Sequence, residues 1–296
     1  MKKQGSAAKK IRVVKMISAL LLAAAAANLW AFDWPQSDVE HDSFASQFGQ
    51  LRGGQVSSSL VFSGEASVKA AEKGQVIALI IEHEEEFGWF ESTLGTAVIL
   101  SHTDGLDTVY ANLETSSIAQ ELSSVKQGDA LGKTGSSGWQ EGRSALEFKV
   151  FDAKNKSAVN PRILMPRVAR ESSPTIGTVS LEDKNAVSHN LLSERRLPAG
   201  LYTVYKTRQE DFCPFKTEVA VNGITNETVS YDLLKESYGK IGSYGNTHYT
   251  TEDIYPDADR QLVGTVEMSR GTNTLSVTVQ GMSGTSATLS YQIDIY

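Results

Sequence analysis

Few residues in this chain have the type and spacing to do chemistry, and they are scattered. The five histidines stand at 41, 83, 102, 189 and 248, and none neighbours a G-x-S-x-G turn that would present a nucleophilic serine. No serine, histidine and carboxylate set can be drawn from them. The stretch 132–138 (GKTGSSG) lacks the G-x-x-x-x-G-K-[ST] spacing of a phosphate loop, and no helical pattern follows it. It reads as a β-turn. Glu82-His83-Glu84-Glu85-Glu86 gathers side chains that can bind metal, but no apolar face holds the run against a scaffold. It reads as a solvated hairpin or loop. Cys213 is the only cysteine, so no intramolecular disulfide can form, and its setting in Phe212-Cys213-Pro214-Phe215 suits a small buried hydrophobe.

Any site must therefore be positioned by what surrounds it, and the surroundings read as β. Short Val-, Ile- and Tyr-rich runs punctuated by glycine predict strands over 68–71, 74–81, 96–101, 107–113, 130–133 and 145–152. One or two helical turns are expected over 116–122, opened by serine caps. Residues 32–56 are polar and irregular and read as a lead-in to a first domain over 57–165. Pro, Arg and Ser then mix from 162 to 174, which sets a linker at 166–174. Beyond it, alternating strands over 200–207, 215–221, 228–233, 262–268, 272–280 and 287–295, with no helix between them, predict a small β-sandwich over 175–296. The expected fold class is all-β.

The first 31 residues have the pattern of an export signal. Six basic residues precede or enter the apolar run 16–27, and Ala27 or Ala31 ends a small-residue cleavage site. The run falls short of the roughly 20 apolar residues of a membrane span, so a cleaved leader is expected over an anchor. Those 31 residues hold no acid, so without their six basic residues the formal charge falls from −7 to −13. So acidic a surface repels phosphate backbones and excludes nucleic acid as the main partner.

The stretch 61–161 resembles the LytM/M23 family of zinc peptidases that cleave bridges in bacterial peptidoglycan. Residues 66–76 (ASVKAAEKGQV) look like the family's early hairpin. Residues 96–113 (TAVILSHTDGLDTVYANL) look like its I-x-H…Y-A-H-L element, and 125–135 (VKQGDALGKTG) like its glycine turn. Residues 145–150 (ALEFKV) stand where the family has H-L-H-F-E-V, and Val159-Asn160-Pro161 matches its V-N-P end. The resemblance implies a LytM-like β-domain of antiparallel sheets. The 175–296 half resembles bacterial immunoglobulin-like modules through its last hairpin, 273–284.

The departures bear on function. In the family, zinc is held by a His and an Asp of an early H-x-G-x-D and by the second His of H-x-H, while the first His of H-x-H and the His of Y-A-H-L assist water. Here the H-x-H positions hold Ala145 and Glu147, and the Y-A-H-L position holds Asn112. Counting back from Gly64 puts the early pair near Gly54 and Ser58. A catalytic zinc needs about three protein ligands and an open position for water. This set does not supply them, so zinc is expected to be lost and the chain to be a pseudopeptidase. The resemblance then implies an exported protein of the bacterial periplasm or cell envelope that binds peptidoglycan or regulates a wall amidase or hydrolase. A weak zinc endopeptidase using Glu147 and His102 is the alternative, and a surface adhesive working through its second domain is a third reading. His102 and Trp139 are candidate groove contacts, each with a packing role as its plainer reading.

Overall fold

A computed structural model describes residues 32–81, 92–118, 123–138, 140 and 142–296. The leader, the acidic run 82–86 and Trp139 lie outside the described residues. Of the expected helical segment, a 3-10 turn at Thr115–Ser117 is present and residues 119–122 lie outside the described set.

The strands that shape the first half are β1 (Leu60–Ser63), β2 (Gly74–Ile80), β3 (Ala97–Ser101), β4 (Leu106–Ala111), β5 (Ala145–Asp152) and β6 (Ser157–Val159). β2, β3, β4 and β5 are antiparallel neighbours in that order. On its other side β5 takes two partners, β1 along its first half and β6 along its second. Partners on both edges and cover on both faces explain why residues 145–148 are all buried, Glu147 among them.

The second half contains β7 (Val179–Asp183), β8 (Gly200–Thr207), β9 (Lys216–Val221), β10 (Ile224–Ser237), β11 (Arg260–Met268), β12 (Gly271–Gln280) and β13 (Ser286–Ile295). β7, β8 and β11 form one sheet, and β10, β9, β12 and β13 run in that order through the other. Both sheets give apolar side chains to the space between them: Leu181, Val204 and Val266 from the first, Val219 and Val277 from the second. Alternation along β12 makes the logic plain, since Leu275, Val277 and Val279 face inward while Thr274, Ser276 and Thr278 do not.

Besides the sandwich's own core, the two halves share a second one. β6 pairs with β10 through Ala158↔Leu234 and Val159↔Leu233, so one sheet runs through both. Leu60, Phe62 and Phe148 share a single hydrophobic cluster with Tyr231, Leu234 and Leu262. The stretch 32–56, expected to be an irregular lead-in, buries Phe32, Trp34, Phe48 and Val56 in that cluster. These residues lack a strand or helix period, which is why pattern alone misses them. The stretch 166–174 has no regular structure, yet it buries Val168 and supplies Glu171 to a buried ion pair with Arg162 at 2.5 Å. It is a packed connection, not a free tether.

A shared core predicts one cooperative transition for the whole chain. Leu234→Ala should lower its stability by about 2–5 kcal/mol. Calorimetry checks both, and two resolved transitions would contradict the shared core.

Candidate functional site

Side chains two apart on a strand point to the same face, so Ala145, Glu147 and Lys149 on β5 form one row. β1 lies beside that row, with Ala145 opposite Ser63 and Glu147 opposite Val61. Ser58, just ahead of β1, joins Ala145, Glu147 and Lys149 in lining one cleft of about 870 Å³. Three of the five positions matched to the family's site residues, Ser58, Ala145 and Glu147, therefore line one cleft, and Gly54 and Asn112 do not.

Asn112 does not face that cleft. It follows β4 at φ +64°, a left-handed conformation that asparagine tolerates better than most residues. Its Nδ2 donates to the carbonyls of Gly135 at 2.8 Å and Ala145 at 2.7 Å, and its Oδ1 accepts from the Gly138 N–H at 2.7 Å. The fully buried amide thus staples the 135–138 turn to the start of β5. His102 is also held away from the cleft. Its Nδ1 lies 2.8 Å from the Lys73 carbonyl and its Nε2 lies 2.8 Å from Thr108 Oγ1. A carbonyl only accepts, so Nδ1 carries the proton that meets it, and Nε2 is occupied by the Thr108 hydroxyl. The ring packs on Phe32 with centroids 5.1 Å apart.

Glu147 is the only acidic member of the family positions, and it is surrounded. Lys149 Nζ lies 3.1 Å from Oε1, and Arg52 Nη1 lies 3.6 Å from Oε2. Gln140 Nε2 donates to Oε2 at 2.5 Å, while Gln140 Oε1 accepts from Arg52 Nη2 at 2.5 Å. Burial by itself raises the carboxyl's pKa, but the Lys149 ammonium and then the Arg52 guanidinium outweigh it and hold the group below its ordinary value.

The family's zinc does not fit these residues. Ala145 has no donor atom, Ser58 offers a neutral hydroxyl, and Glu147 is already neutralised by two fixed cations that would repel a dication. Among the described residues no group of three or more His, Cys, Asp or Glu is placed to share a metal ion.

Arg52, Gln140 and Lys149 escaped the sequence reading. Lys149 had a signal, because it stands two residues after Glu147 on a predicted strand. Arg52 had none, since its contacts depend on how 32–56 folds back. The second half also reaches the site, where Arg208, Glu210, Phe212 and Tyr255 line the far wall. It is tied to the Arg52 segment by Gln50 Nε2 donating to the Glu210 carbonyl at 2.9 Å and by the Tyr255 hydroxyl donating to the Gly49 carbonyl at 2.6 Å. Gly49 is required at that join. It sits at φ +84°, and a Cβ there would meet Cys213 Sγ at 2.7 Å.

Residues 58–161 match the family model described as peptidase family M23, and over that stretch the chain is a LytM/M23-like protein. A second family model, which carries no description, spans 173–296. An uncharacterized protein of Treponema pallidum (strain Nichols) is 35% identical over 123 residues, which is 38% of this chain and 81% of that protein. The two belong to one family. Among solved structures, lysostaphin from Staphylococcus simulans is 16% identical, with 88% of this chain and 92% of that chain covered at a TM-score of 0.35. The catalytic domain of the prophage-encoded M23 protein EnpA from Enterococcus faecalis, solved as a point mutant, is 23% identical over 40% of this chain and 87% of its own, at a TM-score of 0.28. A SpoIIIAH and SpoIIQ complex is 22% identical over 44% and 96%, at a TM-score of 0.34.

Two outcomes follow from this geometry. Asn112→Ala takes its donor from the Ala145 carbonyl, leaves the Gly135 carbonyl with the Ala145 N–H alone and strains the left-handed backbone, which should cost about 2–4 kcal/mol in chemical denaturation. Glu147 has a folded pKa below its ordinary 4.5, so its stabilising contribution is complete above that value and is lost as pH falls through the folded one. Between about pH 6 and about pH 3 the unaltered chain should therefore lose more stability than Glu147→Gln. Equal losses in the two proteins would refute the charged network.

Proposed function

We propose that this chain is a non-catalytic M23-like protein of the bacterial cell envelope, which binds wall peptide in its cleft without cutting it. One observation carries the reading: the positions that would gather a metal instead gather Arg52 and Lys149 around Glu147. Hydrolysis in this family's chemistry requires an ion that polarises the scissile carbonyl and activates water. The chain's own residues offer something else: fixed hydrogen-bond donors, a walled space of peptide size and no base free to take a proton from water. Such a cleft can hold a peptide, and through it localise or restrain an enzyme that does cut.

Export and an envelope location rest on the leader pattern at 1–31. The strong negative charge of residues 32–296 supports a partner other than nucleic acid. No residue of the described site favours the zinc-endopeptidase alternative, because its two named ligands, Glu147 and His102, are each fully engaged and do not line one space.

Metal analysis of the purified full chain, paired with incubation on isolated sacculi, tests the proposal. The expected result is zinc well below one equivalent, no soluble peptide released and the chain sedimenting with the sacculi. Stoichiometric zinc, with peptide release abolished by Glu147→Ala, would overturn it. A chain that neither cuts nor sediments would remove the wall peptide as its ligand.

A further inference from the structure

We infer that the cleft is a carboxylate-binding site, which takes the free C-terminal carboxylate of a short peptide at Arg52 and Lys149. The inference rests on the non-catalytic reading above and names the chemistry that the cleft would recognise.

The arrangement of charge at the cleft floor carries it. Two cations share the single carboxylate of Glu147, so one positive charge is left uncompensated. The side chains of Arg52 and Lys149 are 33% and 30% exposed, while that of Glu147 is 10% exposed. An incoming group therefore meets the cations first, with the carboxylate beneath them as their anchor. Arg143 and Arg208 line the same space, and among the described residues the only other acid in its lining is Glu210. Arg208 has its own partner in Glu210 at 3.5 Å, so among the described residues the charge that stands over is the one shared by Arg52 and Lys149.

The donors are also held in place before any ligand arrives. Leu51–Arg52 and Gln55–Val56 form a two-residue hairpin across Gly53 and Gly54, which stand at φ +58° and +77° as a tight primed turn requires. The Arg52 guanidinium has five N–H donors. Its contacts with Gln140 and Glu147 leave part of the fork to face outward. Lys149 projects from the central strand β5, whose backbone is paired on both sides. A planar monoanion matches both the net charge and the fork, whereas a phosphate dianion would exceed the charge available.

Room for the rest of a peptide lies next to the cations. Ser144 lines both this cleft and an adjoining one of about 820 Å³, whose walls include Ser67, Thr134, Ser136 and Ser137. The Thr134 and Ser137 hydroxyls are engaged within the protein, while Ser67 and Ser136 offer hydroxyls that both donate and accept, as the amide backbone of an extended peptide demands. A ligand anchored by its carboxylate at Arg52 and Lys149 has that hydroxyl-lined space for its preceding residues.

Calorimetric titration of the full chain with N-acetyl-trialanine and with its C-terminal amide tests the inference directly. The carboxylate form should bind at least about tenfold more tightly than the amide, with the gap narrowing as salt rises. Arg52→Gln and Lys149→Gln should each close the gap, and Arg52→Lys should keep part of it. Running the L and D forms of the peptide tells a protein C-terminus from a wall peptide ending in D-alanine. Equal binding of acid and amide, no binding of either, or a gap that survives both Gln variants would overturn the site. Inorganic phosphate displacing the peptide at equal concentration would reduce it to a general anion site and also overturn the peptide assignment. Should a variant fail to fold, the acid–amide comparison on the unaltered chain still decides. Failure here in a zinc-free, inactive protein leaves the non-catalytic reading standing, whereas stoichiometric zinc removes both.

Discussion

A carboxylate taken out of water must be met by positive charge or by enough hydrogen-bond donors, or give up its own charge, and Glu147 is placed where that rule governs everything near it. It stands on the central strand β5, walled by β1 on one side and β4 on the other. Lys149 answers it from the same strand, and Arg52 answers it from a hairpin that precedes β1 by several residues. Holding Arg52 there in turn requires the segment 47–56 to be fixed, and that segment is fixed by residues of the second half. The ion cluster thus depends on a chain of contacts that runs through most of the molecule. The strands that position the Glu147 row thereby also fix the charge it presents to the cleft.

The second half accordingly has a part in the site beyond being a neighbour. Its loop at 208–212 forms one wall of the cleft, and its Tyr255 and Thr251 hold the Arg52 hairpin from behind. Glu227 gives the same half internal rigidity, because its buried carboxylate accepts from the Tyr249 hydroxyl at 2.7 Å, the Asn246 N–H at 2.8 Å and the Thr265 hydroxyl at 2.6 Å. A carboxylate satisfied by these neutral donors ties β10 to β11 and to the 246–249 turn, which keeps the sandwich in one arrangement. The wall of the cleft is therefore built on a stiff support.

Much of this was legible in the sequence because strands announce themselves by composition and alternation. β2, β3, β5, β8, β12 and β13 fall within a residue or two of their expected bounds. β10 runs well past its expected 228–233 at both ends, because its later residues, Leu233 to Lys235, pair with β6 and lose the simple alternation of a one-sided strand. Likewise β1 was missed: Leu60, Val61 and Phe62 are all buried, and a short continuous apolar run carries no period. At the site, the positions Ser58, Ala145 and Glu147 could be named from motif spacing, and Lys149 was within reach from the two-residue repeat. Arg52 and Gln140 were not, since a salt bridge between distant segments leaves no local mark on either.

The seam between β6 and β10 joins residues more than 70 positions apart, and the Arg52 hairpin waits for partners some 200 positions downstream. Contacts at such separation pay their loop-closure entropy late. As the polypeptide emerges N-terminus first, residues 57–161 are complete well before anything can close against them. The cleft is thus among the last features of the molecule to form, closed only once the C-terminal residues that wall it have been made.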